Sequence, residues 1–156
     1  MSPHISSSPS AGRRRLRILY ADDVRELRDV ARLSFSRDGH EIECVEDGRL
    51  AFERLVSRSF ACDLLITDHH MPRLNGLQLV TQVRATAFAG RILVFSSELD
   101  PLVAQAYRRL GVDRVLQKPV FPSDLRRILG ELFPPDSCVS ESSRHPDAGP
   151  AVPTAP

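Results

Sequence analysis

The sequence predicts a doubly wound α/β fold, a five-stranded parallel sheet covered by helices on both faces. Three observations carry that expectation. Short apolar runs rich in Ile, Leu and Val recur five times, stretches with helical apolar spacing lie between them, and glycines follow three of those stretches. Strands buried on both faces read as nearly continuous apolar runs, because helices cover each side of a parallel sheet.

Taken in order, LRILYA at 16–21 is the first strand, and Leu27, Val30, Ala31, Ser34 and Phe35 form the apolar face of the helix after it. EIECV at 41–45 is the second strand, running into Glu46 and Asp47, which start a helix. DLLITD at 63–68 is the third. Pro72 then stiffens the loop, Asn75–Gly76 turns the chain, and Leu77, Val80 and Val83 make the next helical face. RILVFS at 91–96 is followed by a stripe of Leu102, Ala106 and Leu110, and RVLQK at 114–118 by a stripe of Leu125, Ile128, Leu129 and Leu132. Gly39, Gly90 and Gly111 stand where left-handed helix caps are expected.

The 156 residues suit one domain, expected over 16–133, between a disordered extension at 1–15 and a disordered Pro- and Ser-rich tail at 134–156. The chain is 42% hydrophobic and 26% charged, ordinary for a globular protein with a real core. A net charge of +1 gives no electrostatic reason to expect nucleic-acid binding. No apolar run is long enough to span a membrane, and the first residues lack the apolar segment of a secretory signal. Cys44, Cys62 and Cys138, an odd number without C-x-x-C spacing, read as reduced thiols of a cytoplasmic protein.

Ligands of an open α/β sheet bind beyond the carboxyl ends of its strands. There the first strand runs into Asp22 and Asp23, the third ends in Asp68, the fourth in Ser96 and Ser97, and the fifth in Lys118 before Pro119. Crowded carboxylates call for a hard divalent cation, and Mg²⁺ takes carboxylates together with waters and phosphate oxygens. A lysine supplies a point charge for a phosphoryl oxygen and a serine can donate to another, which leaves Asp68 as a carboxylate nucleophile. Singly, each residue also has a plain structural reading, as a helix cap or a solvated strand end. Their shared edge is what points to phosphoryl transfer.

With ADD at 21–23, ITDHHMPRLNGLQL at 66–79, LVFSSE at 93–98 and LGVDRVLQKPV at 110–120, the chain resembles the receiver domains of two-component response regulators over 16–133. The resemblance implies a flavodoxin-like (βα)5 sheet of order 2-1-3-4-5 and a signalling switch phosphorylated on Asp68. It implies Mg²⁺, with Mn²⁺ able to substitute, held by Asp22, Asp23, Asp68 and the backbone carbonyl of His70. Ser96 takes the place of the hydroxyl that moves toward the phosphoryl group, Lys118 of the lysine that holds it, and Lys118–Pro119 of a cis peptide bond. The implied partners are a histidine kinase or phosphotransfer protein and an unknown downstream protein. A homodimer through the face of the fourth helix, fifth strand and fifth helix belongs to the same expectation.

Two features depart from the family pattern. Val115 occupies the place of the switch aromatic three residues before the lysine, and His69–His70 follow the acceptor directly. A phosphorylation-independent pseudo-receiver is therefore the alternative reading. A phosphohydrolase of the haloacid-dehalogenase kind would need D-x-D on the first strand, where this chain has D-D. The string DHH also names metal-dependent phosphoesterases, which are longer and need further acids. With no second folded domain after Phe133, the expectation is a stand-alone receiver that takes up phosphate, dephosphorylates itself and turns over no separate substrate. Arg13, Arg14, Arg15 and Arg17 read as a solvated edge, whereas Arg108, Arg109, Arg114, Arg126 and Arg127 lie on the segments that would meet a partner or second copy.

Overall fold

A computed structural model describes residues 13–57, 60–98 and 100–135; apart from 13–15 and 134–135, the segments expected to be disordered, 1–15 and 134–156 with Cys138, fall outside the described residues. The strands are β1 (Arg17–Ala21), β2 (Glu41–Val45), β3 (Leu64–Asp68), β4 (Arg91–Ser96) and β5 (Arg114–Gln117). The helices are α1 (Arg25–Arg37), α2 (Gly48–Val56), α3 (Gly76–Arg84), α4 (Pro101–Arg109) and α5 (Pro122–Leu132). All strand pairs are parallel, in the order β2-β1-β3-β4-β5.

Alternation along the central strands builds two cores. Leu16, Ile18, Tyr20, Leu64, Ile66, Leu93 and Phe95 face Ala31 and Phe35 of α1 and Ile128 and Leu129 of α5. Leu19, Ala21, Leu65, Ile92 and Val94 face Ala51 of α2, Leu79, Val80 and Val83 of α3, and Tyr107 of α4. The chain leaves β1 toward one edge and β3 toward the other, so the crevice opens above the carboxyl ends of these two neighbours.

Three expectations need correction. On α1, Ala31 and Phe35 are buried, but Leu27 and Val30 are exposed, at 38% and 62%, because α1 packs through a narrower face than its apolar residues cover. On α4, Leu102 is 75% exposed and Ala106 only half-buried; Tyr107 is the buried residue, flanked on the same face by Val103 and Leu110. The stripe is turned from the one read at 102, 106 and 110. Gly39 and Gly111 are left-handed at φ 85° and 68° and follow α1 and α4 as expected. Gly90 is not left-handed. A β-carbon there would stand 2.4 Å from the Phe88 ring and 2.9 Å from the Asp63 carbonyl oxygen, so close approach of backbone explains the glycine.

The turn into α3 falls at Asn75–Gly76, where it was expected. Asn75 is the N-cap: its Oδ1 accepts from the Gln78 amide at 2.9 Å while Gln78 Oε1 accepts from the Asn75 amide at 3.0 Å. The left-handed residue of the loop is Arg73, φ 66°. Its guanidinium donates to Asp47 Oδ2, and Asp47 Oδ1 accepts from the Leu50 amide at 2.8 Å, so one buried carboxylate caps α2 and ties down the loop. Burial opposes charge on Asp47, but the Leu50 amide and Arg73 outweigh it and hold the carboxyl below its usual range. Asp47→Ala is expected to cost about 1–2 kcal/mol, the ordinary loss for an N-cap. Urea unfolding at pH 7 measures this, and an unchanged midpoint would refute the dual role.

Candidate functional site

The carboxyl edge of β1 and β3 gathers three carboxylates. Oxygen atoms of Asp22, Asp23 and Asp68 all lie within 4.8 Å of one another. Each is placed by a different constraint. Asp22 is fully buried. Its Oδ2 accepts from Tyr20 Oη at 3.1 Å and Lys118 Nζ at 3.0 Å, and its Oδ1 accepts from the Val24 amide at 2.9 Å. Arg28 Nη1 donates to the Asp22 carbonyl at 2.7 Å, which binds the strand end back to α1. Asp23 points into solvent, and Asp68, the last residue of β3, is 6% exposed.

Lys118 Nζ stands 2.9 Å from Asp68 Oδ1 as a close ion pair. Asp68 Oδ1 is a buried oxygen that faces this ammonium. One ammonium faces three clustered carboxylates, so negative charge is in excess at this edge. A buried carboxylate beside two more carboxylates is an all-oxygen donor set that fits a hard divalent cation such as Mg²⁺.

The electrostatics follow from one ammonium serving several acids. Burial pushes the Asp68 carboxyl up; Lys118 pulls it down without cancelling that, and Asp22 and Asp23 raise it further. Burial would lower the Lys118 ammonium, but Asp68 and Asp22 outweigh burial and raise it. Tyr20 is pushed up by burial and by Asp22, so its hydroxyl stays protonated and donates. Burial and the neighbouring His70 lower His69.

The other expected residues take definite places. Ser96 is buried at the end of β4, and its hydroxyl donates to the Glu98 carbonyl at 2.5 Å in the loop toward α4. The Lys118–Pro119 peptide is cis. Val115 is half-buried on β5 beside the core that contains Tyr107. His70 is exposed, whereas His69 is half-buried, with its Nδ1 2.7 Å from Tyr107 Oη. This His69–Tyr107 pair is absent from the sequence expectations. The signal that would have found it is the Val103–Tyr107–Leu110 spacing on α4.

The two basic sets separate. Arg14 pairs with Asp63 at 2.9 Å, and Arg15 and Arg17 lie 3.8 and 3.7 Å from Glu41, at the edge opposite the acids. In the second set Arg114 and Arg127 share Glu131 and Arg126 pairs with Asp38, while Arg108 and Arg109 are exposed at the end of α4.

Known proteins have the same architecture. A family profile described as the response regulator receiver domain matches residues 18–130. A receiver protein from Pseudomonas putida covers 76% of this chain and 98% of its own at 28% identity and TM-score 0.69. The chemotaxis protein CheY4 of Vibrio cholerae covers 77% of this chain and all of its own at 26% identity and TM-score 0.70. The chain belongs to the response regulator receiver family, a class of signalling switch.

Its relatives include longer proteins. The sensor histidine kinase AruS of Pseudomonas aeruginosa is 33% identical over 81% of this chain, which spans 13% of AruS. The response regulator MprA of Mycobacterium bovis is 33% identical over 85% of the chain, which spans 58% of MprA. Among the described residues no helix is long and apolar enough to cross a membrane.

Proposed function

We propose that the domain is a Mg²⁺-dependent phosphoacceptor, modified on Asp68 by a histidine kinase or a phosphotransfer protein. The observation that carries this reading is the buried Asp68 carboxylate, set between the Lys118 ammonium and the Asp22–Asp23 pair. An Asp68 oxygen attacks the donor phosphorus; the new O–P bond forms as the donor's P–N bond breaks, and the electron pair leaves on the imidazole. Lys118 steadies the incoming phosphoryl oxygens, and Ser96 donates to one of them once its hydroxyl leaves the Glu98 carbonyl. Asp22, Asp23, Asp68 and the His70 carbonyl would hold the cation, which supplies positive charge to the same oxygens. Water later cleaves the acyl phosphate, and no separate substrate is turned over.

A groove of about 460 Å³ leads away from the acids. Lys118 and Ser97 stand with the exposed Leu27 and Val30 of α1, and with Val120 and Leu125, along its walls. An apolar helix of the phosphodonor seated there would lie beside the acceptor. Output passes to a downstream protein, or to a second copy, through the α4–β5–α5 face. The balanced charge and the paired arginines at 14, 15 and 17 support neither nucleic acid nor membrane as a partner. A cytoplasmic site of action fits the half-buried thiols Cys44 and Cys62, the latter pushed up to about 12 by burial and so held protonated. The pseudo-receiver alternative is disfavoured because acids, serine and lysine are all present at one edge.

Intact-mass analysis after incubation with acetyl phosphate and Mg²⁺ tests the reading. One phosphoryl adduct is expected on the wild type, and none on Asp68→Asn or after chelation; an unlabelled wild type that still binds Mg²⁺ would count for the pseudo-receiver. Asp68→Asn is also expected to stabilise the Mg²⁺-free protein at pH 7. The sign follows from the raised Asp68 pKa: the folded state holds that proton more tightly, so its stability contribution falls as pH climbs from the usual carboxylate value through the raised one. A midpoint in urea lower than that of the wild type would contradict this.

A further inference from the structure

We propose that Tyr107 is a positioning residue that ties helix α4 to the acceptor loop and carries the state of Asp68 to the α4 face. The inference rests on the phosphoacceptor reading above. Tyr107 is fully buried and is the only buried residue of α4, with the half-buried Val103 and Leu110 packed beside it. Its hydroxyl is 2.7 Å from Nδ1 of His69, the residue joined directly to Asp68, and the two rings meet edge to face at 5.6 Å and 79°.

His69 is held at three further points. Its amide donates to the Phe95 carbonyl of β4 at 2.9 Å, its carbonyl accepts from the Gly76 amide of α3 at 2.9 Å, and its ring lies 4.6 Å from that of His70. A shift of the loop after Asp68 therefore reaches β4, α3 and, through the Tyr107 hydroxyl, α4. The hydroxyl has little room to give. A β-carbon on Gly76 would lie 2.8 Å from Tyr107 Oη and 2.5 Å from the Asp68 carbonyl oxygen, which shows how tightly the three backbones close around it.

The neighbouring strand offers no equivalent link. Val115 packs against the same core from β5, but it has neither a ring to turn nor a group to hydrogen-bond. Tyr107 has both, on a different element. When Asp68 attacks acetyl phosphate, the O–P bond forms, acetate leaves with the electrons of the broken P–O bond, and a bulkier, more highly charged group occupies the end of β3. The backbone of His69 is the next atom set along the chain, and Tyr107 is bonded to its ring.

The test follows amide hydrogen exchange of α4 in the full chain, with and without acetyl phosphate and Mg²⁺, alongside intact mass. In the wild type, labelling is expected to change α4 exchange about tenfold. Tyr107→Phe keeps the ring and should take up the same adduct, with an α4 response below about twofold. A purely structural tyrosine would shift exchange equally in both states and leave the response intact, which would overturn the proposal. So would a labelled wild type whose α4 does not respond.

A second arm needs no phosphate. In urea unfolding, His69→Ala and Tyr107→Phe should each raise the unfolding constant about three- to tenfold, and the double variant little further, because both remove one hydrogen bond. Fully multiplicative effects would show that the pair is not coupled, and would overturn the proposal. A wild type that takes no label counts against the phosphoacceptor reading, while this arm still decides whether the link exists.

Discussion

Replacing Lys118 by methionine is expected to cost about 2–3 kcal/mol of stability in Mg²⁺-free buffer at pH 7 and to abolish labelling of Asp68. The ammonium stands 3.0 Å from Asp22 and 2.9 Å from Asp68, and both acids are almost wholly enclosed. Removing one member of a buried ionic group leaves uncompensated charge, which costs more than the intact group contributes. Methionine keeps most of the stem and its packing, so the loss reports on charge.

The pH dependence has a definite sign. Lys118 binds its proton more tightly in the folded state, so its contribution is complete below the usual lysine pKa and disappears as pH rises through the raised value. The gap between variant and wild type should therefore close in strongly alkaline solution. On the proposed reading Mg²⁺ would supply the missing positive charge to the same three carboxylates, so it should stabilise the methionine variant more than the wild type. Urea midpoints with and without Mg²⁺ measure both effects. Equal midpoints for the two proteins in chelator would refute the charge argument.

Gly76→Ala is expected to destabilise the domain by about 3 kcal/mol, although alanine is the better helix former by about 1 kcal/mol. Gly76 is the first residue of α3, and its missing side chain makes room for the acceptor loop. A β-carbon would stand 2.5 Å from the Asp68 carbonyl oxygen and 3.0 Å from His69 Cα. Both are backbone atoms and cannot swing aside as the end of a flexible side chain does. The loop must move, so labelling of Asp68 should slow as well. Gly130→Ala is the matched control: Gly130 is exposed in α5 with nothing within 4 Å of the added carbon, and it should gain up to about 1 kcal/mol. Thermal unfolding of the two variants with opposite shifts is the expected outcome; equal shifts would show that the close approach is not what demands glycine.

The central strands were legible because they are buried on both faces: runs such as LLITD and RILVFS have nowhere else to go, and four of the five residues between Arg17 and Ala21 are buried. Helix faces were less legible. An apolar residue at helical spacing marks a candidate for burial, but which arc is covered depends on what packs against it. So Leu27, Val30 and Leu102 remain exposed while Tyr107 is enclosed. Gly90 shows the same limit, since a glycine required by a neighbouring backbone looks, in sequence, like one required by a left-handed cap.

By itself, the order of residues determined that Asp22, Asp23, Asp68, Ser96 and Lys118 would meet at one edge, because each ends a parallel strand or follows one within two residues, and parallel strands end together. Only the tertiary structure decided how those groups share their partners. It enclosed Asp22 and left Asp23 in solvent, gave Lys118 two acids to serve, turned the Ser96 hydroxyl toward Glu98, and joined His69 to a tyrosine 38 residues away. Periodicity sets which element a side chain stands on. Its depth and direction come from the packing of other elements against it, and that packing is non-local.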